Sequence, residues 1–154
     1  MKHFFLNLSA AALLLAAFSG SASAEPAKLN TLGHSVAVGA FDPVTYFPEG
    51  GGTPKRGLIG TAFEYQGATY RFATKENLVK FQQNPAKYVP AYNGWCAWAL
   101  AALDKEVDVD PTSFVIRNGK LYLFYKDPEL DTRAMWQKDA EGLFKKAETN
   151  WNKR

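Results

Sequence analysis

The chain has 154 residues, with 18 Lys and Arg against 15 Asp and Glu and a formal net charge of +3. This near balance argues against nucleic acid as a partner, because a nucleic-acid-binding face needs clustered basic residues. The single cysteine, Cys96, excludes an internal disulfide, so that packing alone must stabilise the protein.

The first 24 residues have the features of an export signal. Lys2 gives a positively charged start, residues 10–18 form an apolar run, and Ala22-Ser23-Ala24 matches the small residues before a signal peptidase site. The apolar run is too short to cross a bilayer, which takes about 20 residues. We therefore expect residues 1–24 to be a cleaved signal peptide, the product to be periplasmic or secreted, and no membrane span to remain after cleavage.

The rest of the chain suits one domain with one core. Residues 25–34 lack periodicity and are predicted to be an extended lead-in to a domain over residues 35–152. Residues 36–47 are apolar and β-prone, with an interruption at Asp42-Pro43. Residues 48–60 carry five glycines and are predicted to be a loop.

Two β-hairpins are predicted. Residues 62–72 alternate around Gln66-Gly67, and residues 114–125 alternate around Asn118-Gly119, a turn whose central positions need positive φ. Residues 105–110 also alternate and predict a further strand. Helices are predicted over residues 75–84 after the N-cap Thr74, over the apolar stretch 94–103, from Asp127-Pro128-Glu129 to about 138, and over 140–150. This pattern indicates an α+β fold, a single domain in which a small antiparallel sheet of hairpins packs against helices.

Short motifs in a fixed order then resemble a known family. They are Asp42-Pro43-Val44, Tyr65-x-Gly67-x-x-Tyr70-x-Phe72, Asn84-Pro85-x-Lys87-Tyr88, Gly94-Trp95-Cys96-Ala97 and Asn118-Gly119-Lys120-Leu121. Over about residues 35–152 the chain resembles exported bacterial YHS-domain proteins. Related metal-binding YHS domains carry cysteines where this chain has Thr45 and Ala73, so the resemblance does not carry a heavy-metal role onto those positions.

Cys96 is the main candidate for chemistry. It follows Trp95 in an apolar segment, where an inert, buried thiol is the ordinary outcome. If the helix begins just after Gly94, Cys96 lies in its first turn, where the helix dipole favours a reactive thiolate. The predicted ligand site consists of Tyr92, Trp95, Cys96 and Trp98.

A soft metal site is a further hypothesis for the same thiol. Cys96, His34 and Met135 form a donor set suited to Cu(I), which makes copper the first metal to test. Their spacing carries no metal-binding signal, and the alternative is that Met135 packs within its helix while His34 is exposed near the N-terminus.

The sequence therefore favours an exported, non-enzymatic domain that binds a metal ion or a small ligand near Cys96. One alternative is a structural or interaction domain that binds another protein of the cell envelope, with Cys96 merely buried. A second is a thiol enzyme that uses Cys96 as nucleophile, for which His34 would have to be in hydrogen-bond contact. No catalytic residue is assigned.

Overall fold

The computed structural model describes residues 28–33 and 35–154. These residues form the helices and strands of a small α+β domain, as predicted. The helices are α1 (Lys75–Gln83), α2 (Pro85–Tyr88), α3 (Ala97–Leu103), α4 (Thr132–Gln137) and α5 (Ala140–Trp151), and the strands are β1 (Leu58–Tyr65), β2 (Ala68–Phe72), β3 (Asp110–Arg117) and β4 (Lys120–Phe124). The predicted signal peptide and His34 lie outside the described residues. No helix within them is long and apolar enough to cross a membrane.

Both predicted hairpins are present, but they do not join into one sheet. Among the described strands, β1 pairs with β2 and β3 pairs with β4, each pair antiparallel. The second turn has the expected positive φ at Asn118 (51°) and Gly119 (72°). Each hairpin buries one face against helices, so the predicted single sheet is replaced by two small sheets within one α+β arrangement.

The β-prone prediction for residues 36–47 is wrong. This segment forms short 3-10 helices at Ala37–Ala40 and Pro43–Tyr46, followed by another at Pro48–Gly50. The Asp42 carboxylate accepts a hydrogen bond from the backbone N–H of Val44 at 2.9 Å, which caps the second of these helices. The segment forms only the isolated bridges Val36–Thr69 and Phe41–Arg56, and a local side-chain acceptor takes the place of a continuous strand partner.

Two further expectations for the second half of the chain are wrong. Residues 105–109 are irregular, because the carbonyl of Val107 accepts a hydrogen bond from the Cys96 N–H (3.0 Å) and is held against the start of α3 instead of along a strand. α4 begins after Asp131, whose carboxylate accepts hydrogen bonds from Arg133 and Ala134. Asp127, the predicted N-cap of this helix, instead stabilises the turn that leads into α4.

Two groups of buried side chains form the core. The first lies between the β1–β2 hairpin, α1 and the 3-10 helices, with Phe81 packed against Tyr70 at 4.9 Å between ring centroids. The second joins β4, α3, α4 and α5 around Trp136, whose ring centroid lies 5.5 Å from that of Phe124. The first residue of α3, Ala97, belongs to the second group, and this places the preceding Cys96 beside it.

A buried carboxylate ties the first group together. Asp42 has no exposed surface, and its two oxygens accept hydrogen bonds from Val44 N (2.9 Å), Ala73 N (2.8 Å) and Asn77 Nδ2 (2.7 Å). The Thr45 hydroxyl donates to the Asp42 carbonyl at 2.7 Å and accepts from the Lys55 N–H at 3.0 Å. Thr45 and Ala73 are therefore both held in place by hydrogen bonds to Asp42.

Two buried tyrosines of this core differ in one hydrogen bond and give a stability prediction. Tyr46 donates its hydroxyl to the Pro111 carbonyl at 2.7 Å, whereas the buried Tyr70 hydroxyl has no hydrogen-bond partner in the part of the chain that the structure describes. We expect Tyr46→Phe to lower the free energy of unfolding by about 1 kcal/mol and Tyr70→Phe to leave it unchanged or raise it. Urea unfolding of both variants measures the difference, and equal losses would contradict it.

The same two phenols predict a loss of stability in alkali. Burial raises the pKa of both Tyr46 and Tyr70 above the ordinary value of 10.0. Above about pH 10 the unfolded chain releases protons that the folded chain retains, so stability falls as the pH rises. The double Phe variant should lose less stability than the wild type between about pH 8 and pH 10.5.

Candidate functional site

Cys96 lies at the floor of a pocket of about 270 Å³. The pocket is formed where α3, the irregular segment after it and the start of α4 meet. Its wall is mostly apolar, with polar groups on one side only. The lining residues are Cys96, Trp98, Ala99, Leu103, Val107, Tyr125, Asp127, Leu130 and Thr132.

The Cys96 thiol is held in a closed ring of hydrogen bonds. The Tyr125 N–H donates to Sγ at 3.3 Å, and the Thr132 hydroxyl donates to the Tyr125 carbonyl at 2.7 Å. Because the one hydroxyl proton of Thr132 is used there, the 3.5 Å contact between Sγ and Thr132 Oγ1 must have the thiol as donor. Both polar functions of the thiol therefore have partners.

Cys96 is inaccessible in spite of its place in the pocket. Its exposed fraction is 0%, so solvent does not touch the sulfur unless the wall moves. It is the N-cap residue of α3 and not part of the first turn, and its side chain makes no capping hydrogen bond. The predicted first-turn placement is therefore wrong, because α3 begins one residue later, at Ala97. The sulfur is directed to Thr132 and Tyr125.

The rim of the pocket exposes two leucines. Leu103 at the end of α3 is 51% exposed, and Leu130 before α4 is 40% exposed. Large apolar side chains grouped around a concavity are typical of binding surfaces, whereas isolated ones need no explanation. The pocket is thus an apolar depression with an apolar edge.

The polar side of the pocket is formed by one carboxylate, Asp127, which already has hydrogen-bond partners. Asp127 accepts hydrogen bonds from the Tyr125 hydroxyl (2.5 Å), the Glu129 N–H (2.9 Å) and the Leu130 N–H (2.7 Å). The hydrogen bond from Tyr125 holds the pKa of Asp127 below its usual range, and the same bond raises the pKa of Tyr125. Asp127 therefore faces the pocket as an anion whose bonds fix the Leu130 turn.

The predicted ligand residues do not all meet at Cys96. Trp98 shares its pocket, but Tyr92 donates its hydroxyl to Glu148 Oε1 at 2.7 Å in a separate depression. Burial, followed by that hydrogen bond, raises the pKa of Tyr92. Trp95 donates its indole N–H to the Lys28 carbonyl at 2.9 Å. The backbone reverses between Tyr92 and Cys96, which directs neighbouring side chains to different surfaces.

Among the described residues, no second predicted metal donor lines this pocket. Met135 lies half-buried on α4, one turn after Thr132, and is not a lining residue. His34 lies outside the described residues. Within the described part of the chain there is no group of three or more His, Cys, Asp or Glu side chains that could hold a metal ion. Cys96 is therefore the one soft donor that the described pocket wall presents.

Sequence reasoning missed most of the pocket wall. The missed residues lie on separate segments that meet only through tertiary packing. They are Thr132, Tyr125, Leu103 and Leu130. The one available signal was the apolar Leu130 between charged neighbours, which is unusual for a turn.

Comparison with known proteins finds one family model that matches a short part of the chain. Residues 61–92 match the family model of the YHS domain. The predicted resemblance to the YHS domain is confirmed over that stretch, while its export features stay a prediction. No curated protein and no solved structure matches the chain.

The YHS segment, residues 61–92, includes most of the first hairpin together with α1 and α2. It contributes Phe81 and Tyr88 to the first core group. Of the four predicted ligand residues it contains only Tyr92, and it ends before Cys96. The pocket at Cys96 is therefore built by residues that lie outside the segment matched by the family model.

Proposed function

We propose that this protein is a non-enzymatic binding module that takes a small, mainly apolar ligand in the pocket at Cys96. The observation that supports this most directly is the rim, where Leu103 and Leu130 are exposed beside an apolar concavity. Exposing these leucines to water is unfavourable in the free protein, and covering them with a ligand recovers that free energy.

The size of the pocket limits the ligand. Drug-sized molecules occupy pockets of about 300–1,000 Å³, and this one measures about 270 Å³. An aromatic group of one or two fused rings or a short acyl chain fits that space. The polar groups at the pocket are already bonded to one another, so apolar contact with Trp98, Leu103 and Val107 supplies the affinity.

Binding of indole to the purified protein tests the proposal. We expect saturable binding that falls about tenfold in Leu103→Ser, because the variant removes apolar area worth about 1.4 kcal/mol. Leu58→Ser is the matched control, since Leu58 is 57% exposed on β1, away from the pocket. Isothermal titration calorimetry gives the affinities, and equal values for the two variants would rule out this pocket as the site.

A soft metal ion is the alternative occupant, because the thiol is a copper ligand by chemistry. Anaerobic titration with Cu(I) distinguishes it from the apolar ligand. Tight one-to-one binding that disappears in Cys96→Ser would replace the apolar ligand with a metal, with His34 and Met135 as the next donors to vary.

The two other hypotheses predict different results. An interaction domain of the envelope would bind neither indole nor copper, and would lose a protein partner in Leu103→Ser. A thiol enzyme needs a base next to the sulfur, whereas the hydrogen-bond partners of Sγ in the described structure are the Tyr125 N–H and Thr132 Oγ1.

We also propose that the module acts outside the cytoplasm, on the basis of the export features of residues 1–24. Mass spectrometry of the exported protein should show a chain that begins at Glu25. A chain that keeps Lys2 would contradict the export hypothesis.

A further inference from the structure

A second, partly open cavity has a volume of about 660 Å³. It is bordered by residues 39–41, by Arg56 before β1, by Arg71 on β2 and by the start of β3. Its volume is within the range of about 300–1,000 Å³ that small-molecule sites occupy. The cavity is independent of the pocket at Cys96, with which it shares no lining residue.

Two arginines face this cavity. Arg71 lies between Tyr70 and Phe72 on β2, and since these two neighbours point into the core, Arg71 projects from the other face of the strand. Arg71 is half-buried as a residue, and its side chain has no hydrogen bond or ion pair with any residue that the structure describes. Arg56 stacks on the Phe41 ring at 4.8 Å, and among the described residues its guanidinium donates one long hydrogen bond of 3.4 Å, to the Gly39 carbonyl.

The one carboxylate at the cavity is already engaged. Asp110 Oδ1 accepts hydrogen bonds from the backbone N–H and the hydroxyl of Thr112, both at 2.8 Å. The cavity therefore has an excess of positive charge, and the five N–H donors of each guanidinium group are largely unused. The fixed fork of an arginine matches the geometry of carboxylate and phosphate oxygens.

The wall beside the arginines is apolar and has a strained backbone. Val38, Gly39 and Ala40 all have positive φ, of 53°, 58° and 65°. A β-branched residue rarely adopts this conformation, and such strain is concentrated at functional sites. A Cβ atom at Gly39 would lie 2.9 Å from Pro111 Cγ, so only glycine allows the turn to close on this wall.

We propose that this cavity binds a small organic anion, in which a carboxylate or a phosphate ester is attached to an apolar or aromatic body. Arg71 and Arg56 hold the anionic group, and Phe41, Val36 and Pro111 contact the body. The ligand needs both parts. The two arginines match an anionic group, and the apolar wall leaves space for an apolar body beside it.

Titration of the purified protein with benzoate, phenyl phosphate and benzyl alcohol tests this site. We expect at least one of the two anions to bind at least about tenfold more tightly than the uncharged alcohol, because charge-assisted hydrogen bonds are the strong ones. The preferred anion identifies the carboxylate or the phosphate class. Inorganic phosphate that binds as tightly as phenyl phosphate would overturn the requirement for an apolar body.

Matched variants locate the binding. Arg71→Gln should lower the affinity for the preferred anion about tenfold or more. Arg71→Lys keeps the charge but loses the planar fork of donors, so its affinity should lie between those of Arg71→Gln and the wild type. Arg154→Gln makes the same change in net charge at the C-terminus and should leave the affinity unchanged. Arg56→Gln, at an exposed side chain, repeats the test in case Arg71→Gln does not fold. Equal effects of the cavity and control variants, or equal binding of the alcohol and both anions, would overturn the proposal.

Discussion

Replacing Asp42 with alanine is expected to lower the free energy of unfolding by about 3–5 kcal/mol. The variant leaves three buried donors, Val44 N, Ala73 N and Asn77 Nδ2, without their acceptor. Each unsatisfied donor costs about 1–3 kcal/mol, and a water molecule in the vacated space recovers part of the total. Since small domains are stable by about 5–15 kcal/mol, this variant should be close to unfolded at moderate temperature.

The control for this prediction is another aspartate that binds a backbone N–H. Asp139 caps α5 by accepting a hydrogen bond from the Gly142 N–H at 3.0 Å, at an exposed position. Asp139→Ala should lower the free energy of unfolding by only about 1 kcal/mol. Urea unfolding of both variants decides the matter, and an Asp42→Ala loss no larger than that of Asp139→Ala would show that Asp42 does not organise the first core group.

The Cys96 thiol is expected to react with Ellman's reagent at least about a thousandfold more slowly in the folded protein than in the unfolded chain. The sulfur is fully buried, and both its donor and its acceptor functions are used by Thr132 and Tyr125. The reagent can reach it only after local opening. Each tenfold of protection corresponds to about 1.4 kcal/mol of opening free energy, so a thousandfold requires an opening that costs about 4 kcal/mol.

An exposed thiol in the same protein gives the reference rate. Lys146→Cys in a Cys96→Ala background places a cysteine on the solvent side of α5. In the wild type, Thr132→Val removes the acceptor of the thiol proton and should make Cys96 react faster without changing the fold. A wild-type rate within about tenfold of the Lys146→Cys reference would mean that the thiol is accessible, and would favour the enzyme hypothesis.

Local signals predicted much of the fold. Asn118-Gly119 fixed a turn because both positions need positive φ, and Thr74 capped α1 because its hydroxyl accepts from the Asn77 N–H at 3.1 Å. At the start of α4 the prediction failed because two local signals competed. Asp127 and Asp131 both suit an N-cap, and only packing decided that Asp131 begins α4.

The candidate site was less predictable, because it depends on contacts between distant residues. Thr132 and Tyr125 lie 36 and 29 positions from Cys96 in the chain, and no spacing rule connects them. Tyr92, in contrast, is a near neighbour of Cys96 in sequence but faces Glu148. The positive φ angles of Tyr92 (54°) and Asn93 (51°) reverse the backbone before Cys96. The sequence gives no reason to expect a positive φ at a tyrosine.

Indole titration of the 15N-labelled protein, followed by NMR, tests the proposed ligand pocket most directly. We expect a saturable shift of the Trp98 indole N–H and of the Leu103 and Thr132 amides, because these groups border the pocket. The Trp151 indole N–H, in the separate depression beside Tyr92, should stay unchanged. Shifts at Trp151 that match those at Trp98, or none at Trp98, would contradict ligand binding at Cys96.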